Sequence, residues 1–311
     1  MDGLPQRLDL DTTATWQQQT LKSPIDCVGV GLHSGRRVRL TLRPAEPGHG
    51  IVFRRIDLNR DIPARFDRVT DGRLATVIGD GSARVGTIEH LMAALAGAGI
   101  NNALIELDGP EVPILDGSAA PLLFLLDCAG IVRQRAPRSA IEICRPVRVR
   151  EGDAFAELRP AETRASLGAC LDMSVSIDFP AAAIGRQSCS LRLSPASFRQ
   201  QLAGARTFVL AAEVEQLRAS GLALGGSLDN AVVVDGAQVL NPGGLRMENE
   251  FACHKLLDAV GDLALAGAPL HGCFIGHKSG HALNNRLLRA LFADASAWRE
   301  ATAEPVTAAA A

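Results

Sequence analysis

The segment EFACHKLLDAVGD, residues 250–262, carries His254, Asp258 and Asp262 at successive intervals of four. In a helix such residues share a face, with Cβ atoms roughly 5–6 Å apart. An imidazole and a carboxylate so placed can hold one ion, form a surface ion pair, or make a hydrogen-bonded core pair. Spacing alone leaves all three open. His90 adds a second candidate, lying in the otherwise apolar run TIEHLMAAL directly after Glu89. Adjacent helical residues project about 100° apart, so these two are poorly placed to chelate one ion. They can divide the labour, one ligating a metal and the other activating water. Taken alone, His90 also fits a satisfied core histidine.

His90, His254 and Asp258 together are two imidazoles and a carboxylate, the donors of a catalytic zinc with one open position. Non-haem iron oxygenases use the same set. Glu89 tilts the choice toward hydrolysis, because a hydrolytic zinc needs a neighbouring general base and an oxygenase does not. His281, in KSGHALNN, opens a further helix. Asp262, bonded to its far nitrogen, would keep that imidazole protonated. The cation could then stabilise an oxyanion or donate a proton to a leaving amine. An ion pair between helices describes Asp262 and His281 equally well.

The chain must position these residues, and its composition limits how. Its 311 residues suffice for two domains, with 47% hydrophobic and 21% charged residues and a formal charge of −2. That balance gives no reason to expect nucleic acid or an anionic membrane surface. Aromatics are 4% with no tyrosine, so no stacking stripe suggests nucleic acid. No apolar run approaches the roughly 20 residues of a membrane span, and no leader pattern opens the chain. The expected product is a soluble, cytoplasmic monomer. The seven cysteines form no CxxC pair, which argues against a disulfide framework or thiolate zinc site and suggests mostly small buried thiols. Only three of the 32 basic residues are lysines, Lys22, Lys255 and Lys278. In so Arg-biased a chain, a retained lysine suggests a need for a compact ammonium. There is no P-loop, HExxH or GxSxG motif.

Alternation of Val38, Leu40 and Leu42, and of Ala103, Ile105 and Leu107, predicts strands. TIEHLMAALAGAGI predicts a helix capped by Thr87 and stopped by Gly97 and Gly99. DGSAAPLLFLLDCAGI predicts another, begun near Asp116 or Ser118. Later helices are expected at 195–204, 211–219, 248–266 and 280–293. Each half runs strands first and helices last, predicting two similar α+β domains, 19–134 and 140–295. The polar segment 133–140 reads as the linker, 1–18 as a loose extension and 296–311 as a disordered tail.

GVGLHSG, TIEHLMAALAGAGI, EVPILDGSAAP, ARTF, GLALGGSLDNAVVV, FACHKLLDAVGDL and HKSGHALNN follow one another in this order. The combination resembles the zinc-dependent UDP-3-O-acyl-N-acetylglucosamine deacetylases of lipid A biosynthesis, over about residues 19–293. The resemblance implies two similar two-layer α+β sandwiches with helices packed between the sheets and the active site at the domain interface. It implies removal of acetate from the 2-amino group of a 3-O-acylated UDP-sugar. His90, His254 and Asp258 correspond to the zinc ligands, with iron(II) an alternative occupant, and Glu89 to the general base. Thr207 corresponds to an oxyanion hydroxyl, and His281 backed by Asp262 to the charged histidine. Substrate contacts would fall to Lys255, Lys278, Phe208, Gly226, Asp178 and Phe179, the last two at the uridine. Residues 211–219 and GLALGGS would form the acyl passage. Two departures stand out: Ala154 where many relatives carry lysine, and Phe155 where an indole is common. Neither touches the metal set.

Overall fold

The computed structural model describes residues 17–161 and 170–302. The fold is α+β. In the first half, Ile25–Val30, Arg37–Pro44, Ala103–Leu107, Ile51–Arg55 and Arg60–Pro63 form a five-stranded sheet in that order. Val38, Leu40 and Leu42 are buried while Arg37 and Arg39 face solvent, so the predicted alternation sets which face meets the core. The second half has a seven-stranded sheet centred on Leu270–His277, which pairs antiparallel with Ala154–Arg159 and parallel with Leu171–Asp178.

Among the described residues six α-helices accompany the sheets: α1 (Glu89–Ala98), α2 (Ala120–Ala129), the short turn α3 (Pro195–Ser197), α4 (Ala211–Ala219), α5 (Glu250–Ala264) and α6 (His281–Ala293). The halves share a plan. In each, a parallel strand pair is completed by a strand flanked by two helices: α1, Ala103–Leu107 and α2 in one, α5, Leu270–His277 and α6 in the other. Helix α1 is apolar nearly all round, with nine of its ten residues buried, the mark of a helix enclosed by other elements. It packs on α5 so closely that a Cβ at Gly261 would overlap the backbone carbonyl of Glu89. One apolar cluster runs through both halves, including Leu91 and Leu95 of α1 and Leu256, Leu257 and Val260 of α5.

Several expectations are corrected. Thr87 does not cap α1; it has φ of 55° and its hydroxyl donates to Glu111, while Ile88 takes the cap position without a side-chain bond. Helix α2 begins at Ala120, two residues after Ser118 and so where it was expected; the Ser118 hydroxyl donates to Asp116 and accepts from the Ala120 backbone N–H at 3.3 Å. The expected linker is mostly strand: Ile131–Pro137 pairs with Gln17–Leu21, and Ser139–Ile143 joins the second sheet. Alternating exposed arginines hid this edge pairing. Gln17 and Gln18, assigned to the extension, are in that strand, whereas residues 1–16 lie outside the described residues. The tail is not loose throughout, since Trp298–Thr302 adds an antiparallel strand to Ser139–Ile143; residues 303–311 lie outside the described residues. The 195–204 helix is the brief α3 followed by a wider turn through Phe198–Leu202. Of the seven cysteines, only Cys253 is fully buried, and Cys128 and Cys144 are exposed.

Candidate metal centre and active site

The close crossing of α1 and α5 sets the first turn of one against the middle of the other. His90, His254 and Asp258 are buried and offer ligand atoms that all lie within 4.8 Å of one another. Asp258 Oδ1 stands 3.5 Å from His90 Nε2 and 3.4 Å from His254 Nε2. Donors about 2.1 Å from a tetrahedral zinc are separated by roughly 3.4 Å, so the spacing suits one small cation. Asp258 Oδ1 is moreover a buried oxygen with no hydrogen-bond partner. An orphan of this kind is costly in a folded core unless something cationic fills the gap.

The rest of the chain aims these donors. His254 Nδ1 donates to the carbonyl of Ala205 at 3.0 Å, which leaves Nε2 as the free lone pair. The Ala205 segment is held by a buried ion pair, Arg206 Nε to Glu250 Oε1 at 2.8 Å, with the Arg206 backbone N–H on the same oxygen. Burial drives the His254 pKa down to about 3, keeping the ring neutral. Burial opposes the Asp258 charge as well, but the positive charges of Lys255 and His281 help hold the carboxyl well below its usual range. Lys255 Nζ donates to Asp258 Oδ2 at 3.0 Å.

Four residues along α5 lies a second cluster, in which every oxygen of the carboxylate is used. Asp262 Oδ1 accepts from the Thr76 hydroxyl at 2.6 Å, and Oδ2 accepts from Asn284 Nδ2 at 2.9 Å. His281 Nδ1 reaches Oδ2 at 3.0 Å. Burial disfavours charge on His281, but Asp262, Glu89 and Asp258 prevail and push its pKa up to about 10. Glu89 is buried too, and burial raises its pKa. Its Oε2 accepts from the Thr76 backbone N–H at 2.9 Å, leaving Oε1 for other use. Thr76 thus ties the two carboxylates together.

A family model described as LpxC, UDP-3-O-acyl N-acetylglycosamine deacetylase, matches residues 18–293. The chain belongs to this family. The UDP-3-O-acyl-N-acetylglucosamine deacetylase of Acidithiobacillus ferrooxidans is 51% identical over 284 residues, 91% of this chain and 92% of that protein. Proteins of the same name from an Anaeromyxobacter species and Idiomarina loihiensis are each 48% identical, over 91% and 92% of this chain and 91% and 93% of their own lengths.

The two clusters open on a cavity of about 640 Å³, within the range of small-molecule sites. Its wall includes Glu89, His90, Thr207, Phe208, His254, Lys255, Asp258, Lys278 and His281 from the expected set, together with Phe179. Asp262 stands behind His281. Asp178 and Gly226 are outside the wall. Asp178 faces Arg186 at 3.2 Å and Lys278 at 3.6 Å, and Gly226 lies in the turn after α4. That turn is tied to the first half by Gly225 N–H on the Leu32 carbonyl and Leu224 N–H on that of His33. Sequence reading missed Thr76, Asn284, Glu111, and the Arg206–Glu250 pair. Glu111 accepts from the His33 and Ser34 backbone N–H groups at 2.8 Å each and from Thr87, anchoring the turn beside the cavity. Asn284 sits three residues after His281 on α6, a spacing that could have signalled a shared face.

Proposed function

We propose that this chain hydrolyses the N-acetyl amide of UDP-3-O-acyl-N-acetylglucosamine, in lipid A biosynthesis, releasing acetate and the free amine. Zinc, with iron(II) as a possible substitute, would be held by His90, His254 and Asp258. The observation that carries the reading is the orphan Asp258 Oδ1, buried between two imidazole nitrogens and beside Glu89. Bound there, the metal supplies Lewis acidity, polarising the amide carbonyl and making water more acidic.

Glu89 Oε1 takes the proton of the attacking water, Oε2 being fixed by Thr76. His281, held cationic by Asp262, and the Thr207 hydroxyl face the negative charge that grows on the carbonyl oxygen. The proton returns from Glu89 to the amine nitrogen as the C–N bond breaks. A carboxyl raised by burial carries a proton readily, whereas an imidazolium with a pKa near 10 gives one up reluctantly. Lys255 and Lys278 supply positive charge toward the sugar and diphosphate. Leu32, Phe208, Val209 and Leu210 form an apolar side of the cavity suited to the acyl chain.

Acetate release from UDP-3-O-acyl-N-acetylglucosamine, measured before chelation, after it and after limited zinc add-back, tests the proposal. Release that chelation abolishes and zinc restores is expected. No release from folded, zinc-replete protein would overturn the assignment.

A further inference from the structure

Cys189 lies in the strand Arg186–Arg192 and Cys253 in α5, 64 residues apart in sequence. Their Sγ atoms are 2.9 Å apart, closer than unbonded sulfurs ordinarily settle. The thiols meet where α5 packs on this strand: Cys253 belongs to the main apolar core, and Cys189 packs both on that core and on the smaller cluster of Ile177, Ile184 and Phe251. Cys253 is buried, while Cys189 is only partly covered and therefore within reach of a small oxidant. Among the described residues the strand pairs on one side only, with Leu171–Asp178, so it is a sheet edge without a second neighbouring strand to hold it. A disulfide needs S–S of about 2.05 Å, under an ångström from the present separation.

From this juxtaposition we infer that Cys189 and Cys253 form an oxidisable dithiol site, which a hydroperoxide converts to a disulfide stapling α5 to the sheet edge. The Cys189 thiol is oxidised to a sulfenic acid as the peroxide O–O bond breaks and one water leaves. The Cys253 sulfur then attacks that sulfur, the S–O bond breaks, a second water leaves, and the S–S bond forms. Two thiols and one hydrogen peroxide yield one disulfide and two waters. A thiol reductant reverses the change.

Cys253 immediately precedes His254. Drawing the sulfurs together pulls on the backbone that carries that imidazole, and small misplacements of a reacting constellation are costly. The disulfide form should therefore lose activity severalfold; this consequence rests on the deacetylase reading, whereas the cross-link does not.

The full-length protein is treated with hydrogen peroxide, alkylated, digested and mapped by mass spectrometry without reduction, with acetate release assayed in parallel. A peptide pair joined through Cys189 and Cys253, two mass units lighter than the dithiol, is expected. Activity should drop severalfold and return with dithiothreitol, and Cys189→Ser should retain activity through the same treatment. Absence of the cross-link while exposed Cys128 and Cys144 are oxidised would overturn the site. A complete cross-link with unchanged activity would overturn its coupling to His254. Inactivity of the reduced protein would instead count against the deacetylase assignment, with the cross-link map still deciding the dithiol.

Discussion

Asp258 and Asp262 are both buried carboxylates, one helical turn apart on α5, and they are opposites. Asp262 has donors on both oxygens from three side chains. Asp258 keeps one oxygen without any donor, aimed between two imidazole nitrogens. A satisfied carboxylate positions its neighbours, whereas an unsatisfied one in a dry core waits for a cation. Removing each should therefore fail differently. Asp258→Ala is expected to lose bound metal and to lower acetate release by more than the roughly 100-fold of an outer partner. Asp262→Asn should keep its metal, lose about 10–100-fold in kcat, and be destabilised by about 1–3 kcal/mol through unpaired buried groups. Metal content by elemental analysis, beside denaturant midpoints, separates the two. Equal metal loss in both variants would erase the contrast.

The contrast depends on α1 and α5 touching at Gly261, so the next largest effect comes from wedging them apart. Gly261→Ala sets a methyl against the Glu89 carbonyl. Helix α5 must retreat, carrying His254 and Asp258 away from His90 and Glu89. Overpacking of this kind costs about 1–3 kcal/mol, and activity should fall about 100-fold. Gly97→Ala serves as a control, because its methyl would meet the Phe198 ring two turns along α1 from His90, away from the metal donors. If Gly261→Ala is as active as the wild type, the two helices do not need this approach.

How much of this was readable in advance follows from range. The i, i+4 row on α5 and the Glu89–His90 step are local, and helical geometry alone placed them. The period-2 burial around Leu40 and Ile105 was equally local. What escaped notice comes from pairs far apart in sequence: Thr76 on Asp262 across 186 residues, and His254 on the Ala205 carbonyl across 49. No spacing rule reaches that distance. The Trp298–Thr302 edge strand failed for a related reason, since its partner Ser139–Ile143 is far back in the chain. Thr87 misled because an N-cap signature and a strained turn residue look alike until φ is known.

A smaller effect sharpens the electrostatic half of the comparison. The His281 pKa, about 10 in the fold against an ordinary 6.5, makes its charge a stabilising feature. The sign is that of a raised base: the contribution is complete below about 6.5 and fades as pH rises through about 10. The stability gap between wild type and His281→Gln should therefore be widest near pH 6 and narrow on the alkaline side. A metal held at Asp258 would lower the upper limit, because the cation would offset one of the carboxylates that hold the proton. Denaturant titrations of both proteins across this range, with and without metal, measure it, and a gap that widens with pH would contradict the assigned charge.

The finest test leaves both carboxylates in place and removes a single donor. Thr76→Val deletes the hydroxyl on Asp262 Oδ1 but keeps the backbone N–H on Glu89 Oε2, so it perturbs the satisfied cluster while leaving the base fixed. Asp262 retains His281 and Asn284, and Oδ1 still has His281 Nδ1 at 3.1 Å. The loss should be about 1 kcal/mol in stability and roughly tenfold in kcat, with metal content unchanged and Thr76→Ser restoring most of the rate. Such an outcome would show that Asp262 acts through the orientation of His281. A variant that instead sheds metal would mean that the two carboxylates are one coupled unit, and that the division between a satisfied and a waiting site is not real.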